Sequence, residues 1–142
     1  MRRTGLMVGI AALAAAVFLF VPPIPQDPAY HSFADTRTLW GVANWWNVVS
    51  NIPFLLAALY GFWKLRGAVF IERWERYAFY CVLVGTAAVA AGSSYYHWHP
   101  DDQRLFWDRL PMTVVFLSIL AAAIGERVSM KAGRWLLAPL IL

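Results

Sequence analysis

The sequence predicts an all-α fold: a polytopic transmembrane helical bundle of about four complete membrane helices plus the start of a fifth. Three observations carry that prediction. Of 142 residues, 61% are hydrophobic and only 14% charged, whereas a soluble domain carries about 25% charged residues. Several apolar runs approach the roughly 20 residues that a helix needs to cross a bilayer. The basic residues also collect in alternate connections between those runs, as membrane topology requires.

Segment one covers Gly5 to Val21, behind Arg2 and Arg3. A basic start before an apolar run has the form of a signal peptide. Pro22-Pro-Ile-Pro25 follows instead of a small-x-small cleavage site, so an uncleaved anchor helix over residues 5–21 is expected. Residues 22–43 form a polar, proline-rich connection containing Asp27, His31, Asp35 and Arg37. Segment two runs from Ala43 to Phe62. Its Trp45 and Trp46 suit a membrane–water interface. Asn47, Ser50 and Asn51 have i, i+3, i+4 spacing and share one helix face. Such a stripe faces other helices rather than lipid.

A basic loop, Lys64 to Arg76, leads to segment three, Tyr77 to Tyr96. Pro100 stops it, because the residue before a proline disfavours helix. Segment four runs from Leu105 to Gly125. It holds Asp108 in or near its first turn and Pro111 near the start, where proline is tolerated. Segment five begins near Trp135, and Leu142 lies too few residues beyond it for a complete span. The chain is therefore expected to be the N-terminal part of a longer bundle, with residues 1–142 forming one membrane domain. The single Cys81 lies in an apolar run, so no disulfide framework exists.

Charge sorts the connections. On one side are Arg2, Arg3, Lys64, Arg66, Arg73, Arg76, Arg127, Lys131 and Arg134; on the other are Arg37, Arg104 and Arg109. The positive-inside rule then puts the N-terminus in the cytoplasm. All three histidines, His31, His97 and His99, fall on the external side. The net charge of +4 is thereby topological, and a nucleic-acid partner is not expected.

Ser93-Ser-Tyr-Tyr-His97 and Asp108-Arg-Leu-Pro111 place a hydroxyl, an imidazole and a carboxylate at the watery ends of two apolar segments. Ionisable groups beside lipid are costly and are usually kept for a site. Ser93 and His97, four apart, share a helix face. A catalytic zinc site uses three protein ligands and a water. A carboxylate can take that water's proton, and a hydroxyl can orient it. His97, Asp108 and Ser93 match those roles in type. Structural roles match the same residues: His97 and His99 as interfacial polar tips, Asp108 as a helix cap or a partner of Arg104, and Ser93 and Ser94 with Gly92 as close-packing residues.

Three motifs in order add a resemblance. Trp46-Asn47-Val-Val-Ser50-Asn51, Ser93-x-x-x-His97 and Asp108-Arg-Leu-Pro111 together resemble the alkaline ceramidase family of seven-helix membrane hydrolases, over roughly Asp35 to Ile124. The resemblance implies a zinc-dependent amide hydrolase acting on ceramide, a membrane lipid, to give a sphingoid base and a fatty acid. It implies His97 as a zinc ligand, Asp108 as the acid/base group and Ser93 as the hydroxyl beside the zinc water.

Two departures accompany it. The family completes its metal site with an H-x-x-x-H pair on its last helix. No such pair occurs in these residues, so the remaining zinc ligands are expected beyond Leu142, and this chain alone is expected to be inactive. A set made of His31, His97 and His99 is disfavoured, because His99 follows a helix end and His31 sits in a flexible loop. Eukaryotic members also carry an acidic calcium site ending in glutamate. Here Tyr30 to Asn44 has Asp35 as its only acid, and Asn44 stands at the glutamate position, which argues against calcium. Two other classes stay open from sequence: a related lipid hydrolase with another acyl substrate, and a non-enzymatic, receptor-like membrane protein.

Overall fold

The structure, a computed structural model, describes residues 25–140 and, before them, residues 9, 10, 12, 13, 16, 17 and 19–22. Of the anchor expected over Gly5–Val21, residues 9, 10, 12, 13, 16, 17 and 19–21 are described, and all of these but Val21 are helical; the others lie outside the described residues. The numbered helices are α1 (Trp45–Val49), α2 (Ile52–Leu65), α3 (Arg73–Trp98), α4 (Asp102–Arg127) and α5 (Met130–Leu137), preceded by a 3-10 turn at Pro28–His31. Three stretches are long and apolar enough to cross a membrane: Trp45–Leu65 taken across its break, Arg73–Trp98 and Asp102–Arg127. The all-α bundle expected from composition is what forms.

The helices overrun the apolar segments that announce them. α3 and α4 have 26 residues each, about 39 Å at 1.5 Å per residue. That exceeds a hydrocarbon core of about 30 Å, so their polar ends project past it. α3 begins at Arg73 rather than Tyr77 because Glu72 and Glu75 close a reciprocal capping box there. α4 begins at Asp102 rather than Leu105 because the Asp101 carboxylate accepts from the Arg104 backbone N–H. This corrects two placements. Asp108 is the seventh residue of α4, beyond the first turn, and Pro111 lies inside the helix.

Segment two is broken. Asn51, buried to 4% exposure, donates to the carbonyls of Asn47 and Val48, and Ser50 Oγ donates to the Asn47 carbonyl. Ser50 and Asn51 therefore serve the backbone where α1 gives way to α2, while the Asn47 side chain donates to the Asp35 carbonyl at 3.3 Å in the preceding connection. The bond between helices comes from elsewhere: Ser94 Oγ of α3 donates to the Val48 carbonyl at 3.3 Å.

α3 and α4 pack most extensively, and proline and glycine decide how. Pro111 has no N–H, so the carbonyl of Trp107, four residues earlier, loses its helical donor. Gly92 of α3 faces that same carbonyl. A Cβ at Gly92 would overlap the Trp107 oxygen and lie 3.5 Å from the Asp108 Cα. The missing side chain thus brings the α3 backbone against α4 at Asp108.

At the opposite end Trp74, Ala78, Ala121 and Leu137 form a buried apolar cluster. α5 begins at Met130, five positions before the Trp135 start expected from hydrophobicity. Its Gly133 lets it lie against α4, because a Cβ there would be 2.6 Å from the Ala121 carbonyl oxygen. Lys64, Arg66, Arg73, Arg76, Arg127, Lys131 and Arg134 gather at this basic end, where α2 ends, α3 begins and α4 turns into α5.

Candidate functional site

The last turns of α3 and the first turns of α4 meet at the other end. Ser93 and Tyr96 of α3 are 4% and 3% exposed, and Asp108 of α4 is 8% exposed. His97 is half-buried and lies one turn beyond Ser93 on the same face. Its ring is within electrostatic reach of the Asp108 carboxylate. The fold therefore gathers the three residues singled out by their spacing.

Among the described residues two atoms in this cluster, His97 Nδ1 and Asp108 Oδ1, are buried without a hydrogen-bond partner, as is Arg104 Nε in the first turn of α4. Buried polar atoms are nearly always paired, and leaving one unpaired costs about 1–3 kcal/mol. The structural alternatives for Asp108 do not hold. Asp101, not Asp108, caps α4. Arg104 pairs with Asp101 at 2.8 Å and donates to the His99 carbonyl, so its guanidinium is engaged by groups other than Asp108. Among the described residues no group of three or more His, Cys, Asp or Glu side chains is arranged to hold a metal ion. His97 is the one imidazole in the cluster.

The connection before α1 covers the cluster. The expectation of His31 in a flexible loop is corrected: its ring bridges Tyr96 Oη at 3.0 Å and Asp102 Oδ1 at 3.2 Å. A carboxylate only accepts, so in the neutral ring Nε2 donates to Asp102 and Nδ1 accepts from the Tyr96 hydroxyl. Phe33 packs on His97 with ring centroids 4.7 Å apart. Arg109 donates to the Tyr30 hydroxyl at 3.3 Å.

Further along, Asp35 pairs with Arg37 and accepts from the Trp46 backbone N–H at 3.0 Å. The Arg37 side-chain bond holds the Asp35 carboxyl below its ordinary range. The turn Trp40-Gly41 has positive φ at both positions, and backbone bonds between Leu39 and Val42 close it. Asn44 also adopts a left-handed conformation, φ 51°, which asparagine tolerates. Its side chain donates to the His97 carbonyl at 2.9 Å, joining this connection to the end of α3. Composition gave no signal for Phe33, Tyr96 or Asn44, because their partners lie far away in sequence.

An apolar groove of ≈ 640 Å³ runs between α3 and α4, lined by Gly85, Ala88, Ala91, Gly92, Trp107 and Pro111 among others. It reaches Gly92 and Trp107, the chain neighbours of Ser93 and Asp108.

No curated protein and no solved structure matches the chain. The model of the family described as Ceramidase matches residues 37–142. That stretch holds Asn44, Ser93, His97 and Asp108 and most of the chain's length, and on that match the chain belongs to the ceramidase family.

Proposed function

We propose that this chain supplies part of a zinc-dependent site that hydrolyses the amide bond of ceramide, giving a sphingoid base and a fatty acid. The observation that carries this reading is the pair of buried, unpartnered atoms, His97 Nδ1 and Asp108 Oδ1, next to buried Ser93 in a member of the ceramidase family. These are atoms that a metal and its water would satisfy. The fit is partial: His97 is one ligand of three, and the others belong to an H-x-x-x-H pair that residues 1–142 do not contain.

A bound zinc ion supplies a water whose pKa is lowered to about 7. Asp108, in a poorly hydrated position, takes the proton of the attacking water and returns one to the departing amide nitrogen. The Ser93 hydroxyl donates toward oxygen where negative charge develops. The groove beside Gly92 has a volume within the roughly 300–1,000 Å³ of small-molecule sites. Its apolar lining suits an acyl chain with the amide at the polar end. Arrangement in the membrane follows the charges, with the basic end in the cytoplasm and the site toward the external side. The Asp35–Arg37 pair and the Asn44 bond hold the 35–47 connection from within the chain, so no calcium is assigned.

The test is ceramide hydrolysis by the full-length protein in lipid nanodiscs, with zinc content measured alongside. His97→Ala and Asp108→Ala are each expected to lower turnover by about 10²–10⁴-fold, and His97→Ala to lower bound zinc as well. Turnover unchanged in both variants refutes the assignment.

A further inference from the structure

Residues 28–35 lie outside the stretch matched to the family, yet they are closely tied to the site. We propose that they form a strap that fixes the His97 ring, with Phe33 and His31 as positioning residues. The inference rests on the reading of His97 as a metal ligand.

Burial along the strap alternates. His31, Phe33 and Asp35 are half-buried, while Ser32, Ala34 and Thr36 are exposed. Alternation is the period of extended chain, and Ser32 has extended backbone, φ −88° and ψ 99°. Three alternate inward side chains therefore meet the bundle, and each is held by its own contacts, with Tyr96 shared by His31 and Phe33. His31 is pinned between Tyr96 and Asp102. Asp35 is pinned by Arg37 and by the Trp46 N–H. Between the two pins Phe33 lies on His97 at 4.7 Å with the rings tilted by 57°, and meets Tyr96 edge-on at 5.7 Å.

The site has need of such a device. A helix backbone places the Cβ of a histidine, but the rotation of its ring is broad and roughly two-fold. Metal-ligating histidines are commonly oriented by a hydrogen bond from the second ring nitrogen. With His97 Nδ1 read as the atom facing the metal, the second nitrogen is Nε2; among the described residues the hydrogen bond His97 makes is through its backbone carbonyl, not its ring, so packing must set the ring plane. Phe33 occupies one side, and the neighbouring Tyr96 ring lies at 5.2 Å. The Asn44 bond to the His97 carbonyl fixes the backbone beneath. A linker that only connected an anchor to α1 would require neither the two pins nor the aromatic contact.

Two measurements on full-length protein in nanodiscs test this. The first is the rate of carbethoxylation of His97 by diethyl pyrocarbonate in metal-free protein, read by peptide mass spectrometry. The second is zinc affinity, read by chelator competition. Phe33→Ala is expected to speed His97 modification and weaken zinc binding, each by about ten-fold, the scale of outer-shell changes at metal sites. Phe33→Tyr restores both. His31→Ala gives a smaller shift in the same direction, with helix content by circular dichroism unchanged in every variant. Equal His97 reactivity in wild type, Phe33→Ala and His31→Ala overturns the strap, whatever the activity. If the wild-type protein neither binds zinc nor cleaves ceramide, the ligand reading fails separately, and the strap stands or falls on His97 reactivity.

Discussion

At the basic end of the bundle, Trp74, Ala78, Ala121 and Leu137 close an apolar cluster, and the Trp74 indole N–H donates to Met130 Sδ. At the other end Ser93, Tyr96 and Asp108 are equally buried, yet His97 Nδ1 and Asp108 Oδ1 go unpaired. One end satisfies its groups from within the chain. At the other, two buried polar atoms have no partner among the described residues. An unpaired buried polar atom lowers stability, and sites are where folds tolerate that cost. The difference fits a stabilising role for one end and the proposed chemistry for the other.

The strongest test sets matched changes at the two ends against each other. Trp74→Ala removes a large buried side chain whose ring lies against Gly125. It should cost about 3–5 kcal/mol, as large-to-small aromatic substitutions do, with a clear drop in Tm by scanning calorimetry. Asp108→Asn should abolish hydrolysis and leave Tm at or above the wild-type value, because it removes an unpaired buried carboxylate. If Asp108→Asn destabilises as much as Trp74→Ala, the carboxylate is part of the core and the contrast between the ends is lost.

A smaller effect is expected where the two principles meet. Gly92→Ala would push a methyl group into the Trp107 carbonyl. Overpacking typically costs about 1–3 kcal/mol, and here it also separates Ser93 from Asp108. Hydrolysis should therefore fall by more than the loss of folded protein explains, when turnover is corrected for the folded fraction by circular dichroism. Loss of activity in strict proportion to folded protein would make Gly92 a packing residue only.

Particular residues show how far the sequence could be read. The apolar runs announced the bundle, since 61% hydrophobic content leaves a chain of this size little alternative. Ser93 and His97 were readable because i, i+4 spacing is local. Their meeting with Asp108 follows from two successive helices joined by a short turn, Trp98 to Asp102. Helix ends were misplaced because Glu72 and Asp101 cap beyond the apolar run, where hydrophobicity carries no signal. Pro111 drew the start of α4 too late, as a proline inside a helix is normally excluded. Here the orphaned carbonyl faces a glycine on the preceding helix, Gly92 of α3. His31 was beyond reach: its partners lie 65 and 71 positions away, and no local pattern encodes such a contact.

The smallest expected effect is at the strap's second pin, and its sign is fixed by Asp35. Its carboxyl titrates below the ordinary range because Arg37 bonds its charged form. A depressed folded value means that the pin contributes at pH above the unfolded pKa of about 3.9. That contribution is lost as pH falls through the lower folded value. Asp35 belongs to the connection before α1 and not to a membrane helix, so the bundle itself should persist through that range. Loosening should be confined to residues near Trp46, whose N–H donates to Asp35. Limited pepsin digestion between about pH 4 and pH 2 should show cleavage within residues 32–44 rising with acidity, over the window set by the lowered value. Asp35→Asn should show the acid level of cleavage already at about pH 4 and little further change below it. Cleavage that is equal in both proteins at every pH would leave the first pin, His31, as the strap's only polar attachment beside Phe33, and would move the closing of the site wholly to Tyr96 and Asp102.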